Sequence, residues 1–258
     1  MPLFLLYWIV YFGLVGLLVG SYLNVVIYRL PRRLSTVLPR SRCPACGTAI
    51  RPYDNIPVLA FLWLRGRCRT CGVRIGWRYP AIEALTGALF MLCALRFGLS
   101  VDALVAALFC AAMVVLAAID VEHFLLPDRI TLPGIAIGLA VQPWLRGPGL
   151  LSAAIGAAAG AGILILVWGV WYLIRREHGM GFGDVKMLAM IGAFLGLRSM
   201  GVALFLAVLA GALCGLALLA AGKFGFRSKL PFGLFLALGA LVGLFFGDAI
   251  STAYLGVL

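Results

Sequence analysis

Charge is scarce in this chain. Asp, Glu, Lys and Arg together make up 12% of it, hydrophobic residues 64%, and the mean hydropathy is +1.11. Those values exclude a soluble globular domain, in which about a quarter of the residues are charged. Acids are scarcer still, nine in 258 residues, so each one inside or beside an apolar run carries information. Only two histidines occur, His123 and His178, and no second-ligand pattern surrounds either. The first apolar run lacks the basic flank and the A-x-A-like site of a signal peptide, so it reads as a retained helix.

What is abundant is apolar run length. Stretches at 4–28, 79–97, 101–119, 130–145, 150–174, 185–197, 199–221 and 231–254 are long enough, or nearly so, to cross a bilayer as helices. The expected fold is an all-α polytopic membrane protein with about eight transmembrane helices and a small cytoplasmic zinc-knuckle domain. Its parts are a first helix at 1–28, a four-cysteine domain at 29–78, and a membrane domain of about seven helices at 79–258. Gly156 and Gly160, one helical turn apart, suit close helix packing.

Orientation follows from the 21 Lys and Arg, because short basic loops stay inside. With the N-terminus outside, 11 of them fall between Arg29 and Arg78, joined inside by Arg129, Arg175, Arg176, Lys186, Lys223, Arg227 and Lys229. Only Arg96, Arg146 and Arg198 lie outside. The net charge of +12 is thereby a topology signal, and no nucleic-acid partner is expected.

The inside insertion carries Arg-Cys-x-x-Cys-Gly-x-x-Ile twice, as "RCPACGTAI" and "RCRTCGVRI". Two residues between cysteines let both sulfurs reach one ion, and the glycine permits the tight turn behind them. Cys43, Cys46, Cys68 and Cys71 are therefore expected to form a closed four-thiolate structural zinc site. Two disulfides are the alternative, disfavoured in a reducing compartment. Cys93, Cys110 and Cys214 stand singly in apolar helices and read as packing residues.

The acids sort by position. Asp102 and Asp248 fall at outer helix ends, and Glu177 in a polar loop. Glu83 enters the second span as a lone carboxylate, where pairing or function is expected. Asp120, Glu122 and Asp128 in "AAIDVEHFLLPDRITLP", and Asp184 in "GMGFGDVKM", reach the same inner face from distant parts of the chain. Gly179, Gly181 and Gly183 strip side chains from the approach to Asp184. Pro127, after Leu125 and Leu126, interrupts the helix that follows Asp120 and leaves room for a water-accessible cavity. Two carboxyls held together share one proton, so one serves as base toward water while the other donates to a carbonyl. That is aspartic-peptidase chemistry. Lys186 lies on another helical face from Asp184, free to meet lipid phosphate or a substrate carboxylate.

Taken in order, "SRCPACG", "RPYDNIPVLAFLWLRGRCRTCG", "WRYPAIE", "IDVEHFLLPDRITLP", "GMGFGDVKMLAMIGAFLG" and "LPFGLFLALGAL" resemble the bacterial type IV prepilin peptidases, aspartic peptidases of the GxGD class. The resemblance implies an eight-helix protein of the bacterial inner membrane with its active site facing the cytoplasm. It implies removal of the basic leader from type IV prepilins and pseudopilins, then N-methylation of the new terminus by S-adenosylmethionine. It places the catalytic pair on Asp120 and Asp184, with Gly181, Gly183 and Lys186 in the active-site motif. The knuckle cysteines match, Leu234 stands where many relatives have proline, and Asp54, Asn55 and Glu83 are the methyltransferase candidates. No glycine-rich nucleotide loop is visible. An ion-coupled transporter would instead need acids near mid-membrane and a repeat between halves. A membrane-tethered zinc module would need far fewer spans.

Overall fold

In a computed structural model, residues 2–176, 181–222 and 230–255 are described. Among them helices dominate, and strand pairing is confined to two single bridges, Arg42 with Ala49 and Arg67 with Arg74. The chain forms two compact units, Met1–Val115 and Leu116–Leu258.

The first unit is built on α1 (Pro2–Arg29) and α3 (Arg78–Phe97), which pack along a glycine seam. A Cβ at Gly16 would lie 2.9 Å from the Gly87 Cα, and one at Gly20 would lie 2.7 Å from the Glu83 Cα. Only hydrogen at these positions lets the backbones approach so closely, the usual packing device where lipid competes for apolar surface. Between them lie the knuckles and the short α2 (Leu59–Trp63). Cys93 and Cys110 are fully buried with sulfurs 3.8 Å apart, as expected of packing residues.

The second unit starts within α4 (Val101–His123) and continues through α5 (Asp128–Ala140), α6 (Gly149–Arg175), α7 (Phe182–Ala220) and α8 (Phe232–Leu255). Six described helices are long and apolar enough to cross a membrane, α1, α3, α4, α6, α7 and α8. At 39 residues α7 is too long for one crossing, since a straight helix of that length would measure about 58 Å against about 30 Å of hydrocarbon. It is broken at Gly196, where φ is 72° and ψ 176°.

The two halves of α7 run in opposite directions. Residues 182–195 run parallel to α5, with Met190 against Gly134 and Phe194 against Gly138. They run antiparallel to α6, with Leu188 against Gly160 and Gly192 against Gly156. Residues 197–220 run antiparallel to α8, with Ser199 against Gly243 and Gly247, Ala203 against Gly239 and Phe235 against Gly211. The expected 185–197 and 199–221 segments are thus two spans joined by one residue instead of a loop. With the 13-residue α5 they complete the eight expected segments. The expected packing role of Gly156 and Gly160 holds, for both press directly on the backbone of α7.

Candidate active site

Asp120 lies one turn before the end of α4, and its carbonyl accepts the Phe124 N–H at 2.8 Å. Phe124 then takes a left-handed φ of 51° and stops the helix. Pro127 caps the start of α5, so Leu125 and Leu126 form a short non-helical link between the two helices. Asp184 is in the first turn of α7, capped by the extended Gly181, where the helix's free N–H groups favour an acidic side chain. Asp120 and Asp184 are 6% and 8% exposed, each buried at an end of its helix.

Leu126 joins the two halves of this site. A Cβ at Gly183 would come within 2.8 Å of the Leu126 Cβ, and one at Gly233 within 3.0 Å of the Leu126 Cδ2. The close approach that Gly183 permits is therefore made by Leu126. Gly181 is different, because among the described residues a Cβ there would meet nothing closer than Asp184 Oδ2 and the Gly183 amide, at 3.9 Å.

The first turn of α8 supplies a part that sequence reasoning missed. The Leu234 N–H donates to Asp120 Oδ2 at 3.3 Å, and a Cβ on Gly233 would sit 2.9 Å from that oxygen. The available signal was the Pro-Phe-Gly opening the last apolar run, a helix N-terminus whose first N–H groups have no partner within the helix. Gly233→Ala is expected to lower the rate of the site's reaction about 10- to 100-fold at nearly unchanged KM, because a displaced carboxylate loses alignment. Steady-state kinetics on the purified variant would check it.

Lys186 is engaged differently from its expected anchoring role. Its Nζ is 2.7 Å from Asp128 Oδ1, tying the start of α5 to the start of α7. His123 Nε2 lies 4.0 Å from Glu122, and the structure adds no catalytic contact for it. Glu177, His178 and Gly179 lie outside the described residues.

In the first unit, Cys43, Cys46, Cys68 and Cys71 place their sulfurs within 4.8 Å of one another. Tetrahedral zinc with bonds of about 2.3 Å needs sulfurs about 3.8 Å apart, and Cys43 and Cys71 stand at 3.8 Å. The two knuckles repeat one fold. The Cys43 N–H donates to the Thr48 carbonyl and the Gly47 N–H to Cys43, as Cys68 donates to Val73 and Gly72 to Cys68. Gly47 and Gly72 have φ of 70° and 69° with open space around them, so backbone conformation alone calls for glycine. The Thr48 hydroxyl and backbone amide hold the Cys46 thiol at about 6, and the Cys71 and Thr70 amides lower Cys68. These two thiols are favoured as thiolates, the form that binds metal, whereas burial and the neighbouring cysteines push Cys71 up to about 11, and it is the sulfur geometry that suits the cluster to a metal ion.

The methyltransferase candidates Asp54 and Glu83 each have a partner of their own. Asp54 is held by Arg69, whose guanidinium is 2.6–3.1 Å away and keeps the carboxyl below its usual range. Asn55 is exposed at the end of a 3-10 turn. Glu83, 9% exposed, accepts the Val58 N–H at 2.7 Å. Val58 is a β-branched residue at φ 60°, so Glu83 sustains a strained turn before α2.

Residues 14–97 match the bacterial Peptidase A24 N-terminal domain, and residues 107–216 match the type IV leader peptidase family. A prepilin leader peptidase/N-methyltransferase of Burkholderia pseudomallei (strain 1026b) is 41% identical, with 90% of this chain and 83% of the relative covered. The chain belongs to the type IV leader peptidase family. Further members with the same description, from Pseudomonas putida and Bacillus subtilis (strain 168), are 37% and 35% identical. The first covers 98% of this chain and 95% of the relative, the second 93% and 95%. No solved structure matches. Both halves of the chain thus carry a match to this family, the metal cluster in one and the aspartate pair in the other.

Proposed function

We propose that this leader peptidase cuts type IV prepilins and pseudopilins with Asp120 and Asp184, and N-methylates the new terminus. The observation that carries the reading is the meeting of two buried aspartates, from α4 and α7, beside the first turn of α8. One carboxyl is ionised and takes a proton from water as the water attacks the scissile carbonyl. The other is protonated and donates to the carbonyl oxygen. Collapse of the tetrahedral intermediate then breaks the C–N bond, with a proton passed to the leaving amine. Leu234 holds Asp120 in place through its N–H.

The protein lies in the bacterial inner membrane with N-terminus outside, so this site and the 29–78 domain face the cytoplasm, where the leader's basic residues remain. The substrate's apolar segment lies among the helices and membrane lipids. Zinc held by Cys43, Cys46, Cys68 and Cys71 has a structural role, since four thiolates leave no open position. S-adenosylmethionine supplies the methyl group, with Asp54 and Asn55 of the four-cysteine domain and Glu83 of α3 as the candidate residues for that activity. The basic surface follows membrane orientation, and no nucleic acid takes part.

The test is mass spectrometry of a prepilin incubated with the protein in lipid, with and without S-adenosylmethionine, beside Asp120→Asn and Asp184→Asn. Leader loss that needs both acids supports the reading, and an added methyl mass establishes the second activity. Independently, Cys43→Ser is expected to lower bound zinc from about one per chain to near zero. Metal analysis checks that loss, and faster tryptic cleavage between residues 40 and 75 would report the loosened knuckles.

A further inference from the structure

The reversal of α7 at Gly196 frees backbone groups in a setting where unsatisfied ones are costly. Carbonyls that end the first half and N–H groups that begin the second have lost their helical partners. Two side chains answer them. Gln142, 2% exposed and just past α5, donates from Nε2 to the Ala193 carbonyl at 2.8 Å and the Phe194 carbonyl at 3.3 Å. The same nitrogen reaches the Gly138 carbonyl of α5 at 3.1 Å, so one amide bridges both helices. On the other side of the break, Ser152 Oγ accepts the Leu197 N–H at 3.3 Å.

The helix segment so fastened is the one that carries Asp184. Its opposite end is joined to the same helix, α5, by Lys186 and Asp128. Between the two ends Gly134 and Gly138 let Met190 and Phe194 lie against the α5 backbone. α5 itself follows Asp120 after the short link through Leu126. A rod gripped at both ends thus connects the two acids.

We propose that Gln142 is a positioning residue of the peptidase: by fastening the far end of residues 182–195 to α5, it sets Asp184 against Asp120. The inference rests on the aspartate pair proposed above. Gln142 touches neither substrate nor carboxyl, so its loss lowers kcat and leaves KM in place. A role in stability alone would reduce the inserted protein and leave turnover per folded molecule unchanged.

The experiment measures kcat and KM for prepilin cleavage, with melting temperature and inserted yield, for Gln142→Leu in lipid. The side chain keeps nearly its size and has no N–H donor. The expected result is a kcat about ten-fold lower, KM within about two-fold, and a folded, inserted protein. A folded variant with wild-type kcat overturns the proposal. Asp128→Lys, Lys186→Asp and their combination probe the other end of the rod. Each single change is expected to lower kcat, and the exchanged pair to restore it to within about two-fold. If Gln142→Leu does not insert, Gln142→Asn, which keeps the amide and shortens its reach, is measured in its place, and a wild-type kcat there overturns the proposal. Cleavage that survives in a parallel Asp184→Asn sample would overturn the catalytic pair and this inference together, whereas the other failures remove only the positioning role.

Discussion

Asp120→Asn and Asp184→Asn are each expected to lower leader cleavage at least about 10³-fold, and the double variant to be little worse than either alone. Acid–base groups contribute about 10²–10⁴ each, but two carboxyls that share one proton act as a unit, so their losses do not add. Asparagine keeps the size of the side chain, so the helices need not repack. It also removes one ionisable group from a pair whose members are 6% and 8% exposed. The variants should therefore melt at or above the wild-type temperature, since a carboxyl kept away from water opposes folding. Inactivity with unchanged or raised melting temperature is the signature of a catalytic pair. Substantial cleavage by either folded single variant would show that the acid does something else.

The largest structural effect is expected from Gly196→Ala. A φ of 72° with ψ of 176° falls in a region that essentially only glycine occupies, at a cost of about 1–3 kcal/mol for another residue. A Cβ there would also stand 2.5 Å from the Pro148 Cβ and 2.8 Å from Ser152 Oγ, so α6 would have to move. Together these should destabilise the second unit by about 3 kcal/mol or more, with crowding the larger part. A clear drop in melting temperature is expected, accompanied by loss of cleavage, because the displaced half-helix carries Asp184. Wild-type stability in this variant would mean that the chain can turn there in another way.

How much was legible depended on whether residue type itself carried the information. Cys-x-x-Cys repeated with its glycines states a metal site because sulfur spacing and turn geometry are local. Asp120 and Asp184 stood out because acids beside lipid are few, and the glycines at 156 and 160 announced contact because only small residues allow it. Lys186 was misjudged since its partner, Asp128, lies 58 residues away in sequence. The role of Leu126 was hidden because a leucine beside other leucines looks like lipid-facing chain. Leu234 contributes an N–H that nearly every residue type possesses, so its identity offers no sign of the bond to Asp120.

By itself, the sequence determined the membrane class, the number of helical segments, the four-sulfur cluster and the positions of the two acids. All of these follow from hydropathy, charge placement and short-range spacing, which are properties of single residues and near neighbours. Only the tertiary structure decided that α7 turns back at one glycine, that Gln142 and Ser152 take up the freed backbone groups, and that Leu126 and the start of α8 enclose Asp120. Those outcomes depend on which distant backbones lie within hydrogen-bonding or van der Waals reach. Such distances are set jointly by all the packed helices of the unit, so no stretch of the chain contains them.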